Sequence, residues 1–593
     1  MTRSRIAAAC SAALFSLQFV LLDLYFRGGE SFRHNPRALV NGVASAALWY
    51  VMWSFRRPRA ARIAIAFLGA ILFAGEWLFY RYYHATIDLQ VVASALHSWS
   101  DIKPVMGRMV PGATLLLAVI ASVEMFLLAT PVRRSEKRGA AALTFVIAFA
   151  CAAPIRDGTP EFRELEAVRL AWAPRDAEAA AVAHVPLLPS SRDELPNVLI
   201  VLTESVRASD YCSEHVETCD VAPEVNALVP DRVPLRELRS LASYTAVAVS
   251  ALITGRTQVA SRSDIARAPD VFDFVRAVRA GAARPYVAYL SAQSDSLFER
   301  NDVRSAVDSF ATIETLVGHP VEDEDTVVDR GVDRLLTTRF LEELRTLPKP
   351  YFIVLHFAGT HAPYFVNAAD APFQPWQREA SWAGLPRLRN AYKNAVHEQD
   401  KSIAACVRAF IAVQGDSPYL TVLTSDHGES FGERGAIHHG QNLYDEQIHV
   451  PGWVAFGNGA LDRAQEAHLR SYASEYVTHL DLLPTVLDVY GVLDSFGISS
   501  QRAQLKGRSW LRSVAKLSAP IPITNCTAMF PCPVNTWGLL SDTYALQAQA
   551  WDGDWNCVNL RTGAEHASEA VCGALRDESL AFFPVLPNGR PNH

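Results

Sequence analysis

Apolar segments crowd the first 155 residues of this chain, at roughly 6–26, 38–55, 63–81, 110–130 and 139–155. Each approaches the about 20 residues needed to cross a bilayer, the last being short. Five such runs in one block predict a membrane domain of five helices over 1–155 rather than buried soluble helices. The charges between them set the orientation. Arg3 and Arg5 precede the first run, Arg56, Arg57, Arg59 and Arg62 follow the second, and Arg133, Arg134, Lys137 and Arg138 follow the fourth. Basic loops stay in the cytoplasm. The loops 27–37 and 82–109 then face outward, the first despite three arginines, and everything after about residue 156 lies outside the cytoplasm. Ala7-Ala8-Ala9-Cys10 has no apolar stretch before it, so it reads as part of the first helix and not as a processed signal. Glu76 and Glu124 fall inside apolar runs, where an acid is a functional candidate unless a helix interface accounts for it.

The net charge of -7 over 593 residues, with no long Arg/Lys run, argues against a nucleic-acid partner. Seven of the nine cysteines follow residue 156. Cys212/Cys219, Cys526/Cys532 and Cys557/Cys572 are near enough in sequence to pair, which suits an oxidising compartment, and Cys406 reads as a buried thiol. Residues 156–195 form a charged, Ala-rich connector with a helix near 161–173 that suits a membrane surface.

Beyond the connector, apolar runs at Asn197–Leu202, Pro285–Leu290, Tyr351–His356, Tyr419–Thr424 and Gly452–Phe456 alternate with helical stretches such as 330–346 and 388–412. This pattern predicts an α/β domain over 196–515 with helices on both faces of a sheet, the strands reading as buried parallel ones. A small β-rich subdomain follows over 516–593. Polar motifs sit directly after the strands, where such sheets gather their chemistry. Thr203-Glu204-Ser205 ends the first strand, and Ser425-Asp426-His427-Gly428-Glu429-Ser430 ends another. Asp and His are ligands for zinc or manganese, and Gly428 suits a sharp turn beside a metal. Ser243–Gly255 reads as a loop running into a helix that stops at Gly255, with Thr245 at its start. Thr245 is then either a helix cap or a hydroxyl nucleophile in the positive field of a helix N-terminus. His356, His361, His438 and His439 are histidines able to meet a phosphate or a metal.

In this order the motifs resemble the alkaline phosphatase/sulfatase superfamily over most of 196–515, with Asn442–Gln447 before Val450-Pro451, His479–Thr485 and Trp555–Glu565 as further landmarks. A membrane block joined to such a domain resembles two groups, the lipid A phosphoethanolamine transferases and the lipoteichoic acid synthase and phosphoglycerol transferase group. The resemblance implies an alkaline-phosphatase-like α/β fold and a divalent metal, Zn or Mn, held by Glu204, Thr245, Asp426 and His427. It implies Thr245 as the nucleophile and His361 and His439 as catalytic groups that also touch the substrate phosphate, with His356 as a further substrate-binding residue. No cysteine flanks Thr245 as in the lipid A enzymes, so the acceptor stays open. Sulfatases need Cys or Ser for formylglycine, with Pro and Arg at fixed spacing; Thr245, Val247 and Val249 stand there, so sulfatase chemistry is not expected.

The expected function is transfer of phosphoethanolamine or phosphoglycerol from a membrane phospholipid donor to a glycan or lipid acceptor through phosphothreonine. It would take place at the inner membrane on its periplasmic side. A hydrolase passing the group to water, or a non-catalytic membrane sensor, are the alternatives.

Overall fold

Four of the five apolar segments fall on helices: α1 (Arg3–Phe26), α2 (Pro36–Ser54), α3 (Arg59–Tyr83) and α4 (Trp99–Ala129). The computed structural model describes chiefly residues 3–26, 36–54, 58–83, 99–129, 159–171 and 182–591. Within the last span the longer stretches outside it are 213–218, 258–267, 295–302, 322–330, 526–535, 550–553 and 583–589. Phe15, Phe19, Trp49, Trp53 and Leu128 form the inner core of the helical block. Leu14, Ile63, Phe67, Leu115 and Phe126 are exposed on its outside, an apolar surface that water does not favour. By length and composition two stretches, Ala9–Phe26 and Arg59–Tyr80, are long and apolar enough to cross a membrane, and Ala113–Ala129 is a shorter apolar helix. Helix α2 mixes buried Asn41 and Ser45 into its apolar run. The fifth segment, 139–155, lies largely outside the described residues.

The connector helix, α5 (Pro160–Ala171), docks on this block rather than standing free. Arg163 lies 3.6 Å from Asp23 of α1 and 3.4 Å from Glu76 of α3, and Glu161 accepts hydrogen bonds from Ser45 and Trp49 of α2. Glu76 is therefore an anchoring acid.

A seven-stranded sheet organises the next domain. Its strands are β1 (Asn197–Thr203), β2 (Val233–Pro234), β3 (Tyr286–Ser291), β4 (Ser309–Ala311), β5 (Tyr351–His356), β6 (Tyr419–Ser425) and β7 (Gly452–Gly457), in the spatial order β2-β7-β6-β1-β5-β3-β4. Strand β1 is buried along its whole length. Val198, Ile200 and Leu202 face one core, with Leu252, Leu483 and Val486, while Leu199 and Val201 face the other, with Leu336, Phe340 and Ile403. Each fully buried Val or Leu is worth about 1.5–3 kcal/mol. Helix α6 (Thr245–Thr254) covers the first face, and α7 (Val332–Leu344) and α8 (Leu385–Ala412) cover the second.

Strands β6, β1, β5, β3 and β4 run parallel, as the apolar runs lead one to expect, but β7 pairs antiparallel to β6, with Gly452 opposite Thr424. The sheet is mixed. A parallel return needs a long crossover, usually a helix. Between Ser425 and Gly452 the described residues form a short antiparallel pair, Ser430–Phe431 with Ile437–His438, and two brief helical turns. The chain stays at the carboxyl edge of β6 and can only re-enter the sheet reversed.

The C-terminal part is a six-stranded sheet in which β8 (Ile521–Thr524), β9 (Thr536–Leu540), β10 (Tyr544–Gln549), β11 (Asp554–Asn559) and β12 (Glu565–His566) pair antiparallel in that order and β13 (Arg590–Pro591) pairs parallel to β11, packed by Trp537, Leu539 and Leu546. Cys212–Cys219 and Cys557–Cys572 are disulfides, and Cys406 is a buried free thiol. The Cys526/Cys532 pairing lies outside the described residues.

Candidate active site

The carboxyl ends of β1 and β6 are laced together by their own polar side chains. Asp426 donates its N–H to the Thr203 carbonyl, and its Oδ1 accepts from the Ser205 N–H at 2.9 Å and the His427 N–H at 2.7 Å. Ser205 has a φ of 57°, a left-handed conformation that costs a non-glycine residue on the order of 1–3 kcal/mol. The Asp426 bond and a hydrogen bond from the Tyr392 hydroxyl to the Ser205 carbonyl hold it there. The turn aims the Glu204 carboxylate into the mouth of the sheet. Gly428 serves close approach rather than a turn, since a Cβ on it would meet the Glu446 carbonyl oxygen at 2.5 Å.

Thr245 opens α6. The N-cap residue is Tyr244, without a side-chain cap, and α6 ends at Gly255 with a φ of 62°. The Thr245 hydroxyl caps nothing. Its Oγ1 lies 3.1 Å from His427 Nε2 and 3.3 Å from Glu204 Oε1. His427 Nε2 is in turn 3.4 Å from Glu204 Oε1 and 3.3 Å from Asp426 Oδ2. The ring is oriented by its other nitrogen: Nδ1 donates to the Gly428 carbonyl at 2.9 Å, which leaves the Nε2 lone pair facing Thr245. Glu204, Asp426 and His427 are all fully buried, and Thr245, His361 and His439 form the half-buried rim above them.

His361 and His439 rings stand 5.4 Å apart, and His439 stands 4.4 Å from His427. His361 Nδ1 donates to the Ala362 carbonyl at 2.6 Å, and burial pushes its pKa down to about 4, so it is a neutral imidazole at neutral pH. Burial also lowers His439, but the Glu429 carboxylate, 3.4 Å from its Nδ1, outweighs burial and holds it above the ordinary histidine value. His356 stands behind Glu204 rather than on the rim. It is fully buried, with Nε2 3.9 Å from Glu204 Oε2 and Nδ1 2.8 Å from the Tyr289 hydroxyl. His438 leans on the Tyr364 hydroxyl at 3.2 Å.

The donor set fits a divalent cation. Asp426 Oδ2 and His356 Nε2 are buried and make no hydrogen bond, an expense that a native fold avoids unless something pairs them. Burial and the nearby Asp426 charge push the Glu204 carboxyl well above its ordinary value. The Asp426 carboxyl, raised by burial, is brought below its ordinary value by His427 and His356. Two carboxylates crowded in a dry site call for positive charge. Glu204, His427 and His439 offer one group of converging ligand atoms, and Glu204, His356 and Asp426 another. Carboxylate and imidazole donors together suit zinc or manganese.

Several supporting residues carry no sequence motif. Gln293, just past β3, donates to Glu204 Oε2 at 2.7 Å. Asp333, in the first turn of α7, accepts from the Ala358 and Gly359 N–H groups at 2.9 and 3.0 Å and from Gln399 at 2.9 Å, which pins the loop that carries His361. Glu429 lies within a legible motif, yet only the fold reveals its pairing with His439. An acid or amide at a strand or helix end is too common to stand out by itself.

Residues 196–492 match the sulfatase family. Over 153 residues the chain is 29% identical to phosphatidylethanolamine transferase Mcr-2 of Escherichia coli, covering 24% of this chain and 27% of that protein. Over 155 residues it is 30% identical to phosphoethanolamine transferase EptA of Salmonella typhimurium, covering 24% and 28%. The alignments thus span about a quarter of the length of these relatives. Among solved structures, the integral membrane protein lipooligosaccharide phosphoethanolamine transferase A from Neisseria meningitidis shares the fold. The TM-score is 0.57 at 18% identity, over 85% of this chain and 99% of that one.

Proposed function

Since the chain belongs to the sulfatase family, we propose that it is a membrane-bound phosphotransferase that carries phosphoethanolamine from a phosphatidylethanolamine donor through Thr245 to a glycan or lipid hydroxyl. The observation that carries this reading is the Thr245 hydroxyl, 3.1 Å from His427 Nε2 and 3.3 Å from Glu204 over a buried acid cluster. The names of the relatives favour phosphoethanolamine over phosphoglycerol.

Glu204, Asp426, His427 and Thr245 would hold the metal, zinc or manganese. When bound it supplies the positive charge that lowers the pKa of the hydroxyl and offsets the charge of the phosphodiester. Thr245 Oγ1 forms a bond to the donor phosphorus, and the bond from phosphorus to the glyceryl oxygen breaks. The hydroxyl proton passes by way of His439 to that oxygen, so diacylglycerol departs as a neutral alcohol and Thr245 keeps the phosphoethanolamine. An acceptor hydroxyl then attacks the same phosphorus, the bond from phosphorus to Thr245 Oγ1 breaks, and the acceptor's proton passes to Oγ1, which restores the threonine hydroxyl. His361, neutral and on the rim with its Nδ1–H given to the Ala362 carbonyl, presents an Nε2 lone pair that takes up the proton of the acceptor hydroxyl as a general base. His356 supports the site from behind Glu204. The same reading assigns 1–155 to a five-crossing membrane domain, 156–195 to a connector, 196–515 to a catalytic domain on the periplasmic side of the inner membrane, and 516–593 to a C-terminal subdomain.

Turnover of a fluorescent phosphatidylethanolamine tests this. Thr245→Ala should abolish transfer, while Thr245→Ser should keep part of it, because the hydroxyl survives and only the methyl that restricts its rotamer is lost. Wild-type turnover by Thr245→Ala would overturn the reading. Free phosphoethanolamine released without any glycan or lipid adduct would recast the protein as a hydrolase.

A further inference from the structure

The C-terminal sheet meets the loops beside the active site through Asn525. Asn525 directly follows β8 and is 1% exposed. Its Oδ1 accepts from the Ser243 N–H at 2.8 Å, and its Nδ2 donates to Ser243 Oγ at 2.9 Å and to the Gly440 carbonyl at 3.1 Å. Ser243 Oγ passes the chain of bonds on to the Asn442 carbonyl at 2.6 Å, and Thr524 N–H donates to the Leu241 carbonyl at 3.3 Å. Ser243 stands two residues before Thr245, and Gly440 directly follows His439. Neither segment belongs to the seven-stranded sheet. The first is the loop into α6, and the second leaves the short strand Ile437–His438 with a φ of 83° at Gly440. One buried amide therefore bridges the nucleophile loop and the histidine loop. It does so with one acceptor and two donors at once, an inventory that a carboxylate, a hydroxyl or an apolar side chain lacks.

We propose that Asn525 is a positioning residue, setting the Thr245 hydroxyl against the His439 imidazole, and that the C-terminal sheet is thereby part of the catalytic framework. The inference rests on the reading of Thr245 as the nucleophile. A displacement of about 1 Å at a reacting group can cost on the order of 100-fold in rate, so loosening either loop should slow bond formation without weakening donor binding.

The test uses the full chain in lipid nanodiscs with labelled phosphatidylethanolamine and no acceptor. The rate of label uptake on Thr245, the donor KM, the metal content and the melting temperature are measured together. Asn525→Ala should lower the labelling rate by about 10–100-fold, with KM and metal content unchanged. Asn525→Asp, which keeps the acceptor for the Ser243 N–H but loses both donors, should fall between the two. Leu539→Ala, in the core of the same sheet, is the control for stability alone. It should lower the melting temperature and leave the labelling rate near wild type. Labelling of Asn525→Ala at the wild-type rate would overturn the inference. So would losses of rate that follow melting temperature alike in the Asn525 and Leu539 variants. If Thr245 labels in the wild type, such a failure belongs to this inference alone; if it never labels, the nucleophile reading fails first and takes the inference with it.

Discussion

Asp426 shows how one side chain divides its two oxygens between fold and chemistry. Oδ1 accepts two backbone N–H groups and ties β6 to β1, while Oδ2 is buried with no hydrogen bond. An asparagine can keep the first role and cannot supply the charge of the second. Asp426→Asn should therefore stay folded and lose bound metal, by an affinity factor of at least the 10–100-fold typical of supporting residues. Without metal, its melting temperature should lie below that of metal-free wild type, because His427 and His356 favour the ionised Asp426 carboxyl in the fold. Chelation should lower the melting temperature of wild type and leave that of the variant unmoved. Elemental analysis reads the outcome, and full metal occupancy in Asp426→Asn would remove Asp426 from the site. The same residue was legible in the sequence because it directly follows a seven-residue apolar strand. Gln293, Asp333 and Asn525 were not, since each is a lone polar residue whose partner lies far away in the chain. Only the packed fold shows which backbone groups they satisfy.

Elements account for what the strand pattern left open. The apolar runs marked β1, β3, β5, β6 and β7, but a buried run reads alike in either direction, so the reversal of β7 became visible only through the absence of a crossover after β6. Helix α6 was legible at both ends, from Thr245 to Gly255, whereas only the direction of the Thr245 hydroxyl makes visible that it does not cap the helix. Helix α7 offers a test at this scale. Its Asp333 satisfies two buried N–H groups of the loop 357–361, and each buried donor left without a partner costs about 1–3 kcal/mol. Asp333→Ala should lower stability by about 2–6 kcal/mol in denaturant titration and reduce transfer through His361, while metal content holds. An unchanged denaturation midpoint would show that the loop is held by other bonds.

At the scale of the whole molecule, the proposed reaction needs a lipid donor, and the exposed Leu, Ile and Phe side chains of the helical block are the apolar surface that would meet one. Arg163 and Glu161 fasten the connector helix to three helices of the N-terminal block. The charge pattern between the apolar segments predicts which side that domain occupies. A reporter active only outside the cytoplasm should be active when fused after residue 195 and silent after residue 58; the reverse pattern would overturn the orientation and with it the proposed class of substrate. The central claim is the covalent role of Thr245. Its most direct test is mass spectrometry of the Thr245 peptide after the full-length protein meets phosphatidylethanolamine in a bilayer with no acceptor present. A phosphoethanolamine adduct on Thr245, lost when acceptor is added and absent from Thr245→Ala, is the predicted result. An unmodified Thr245 in a protein that still consumes the donor would contradict it and leave the chemistry to water.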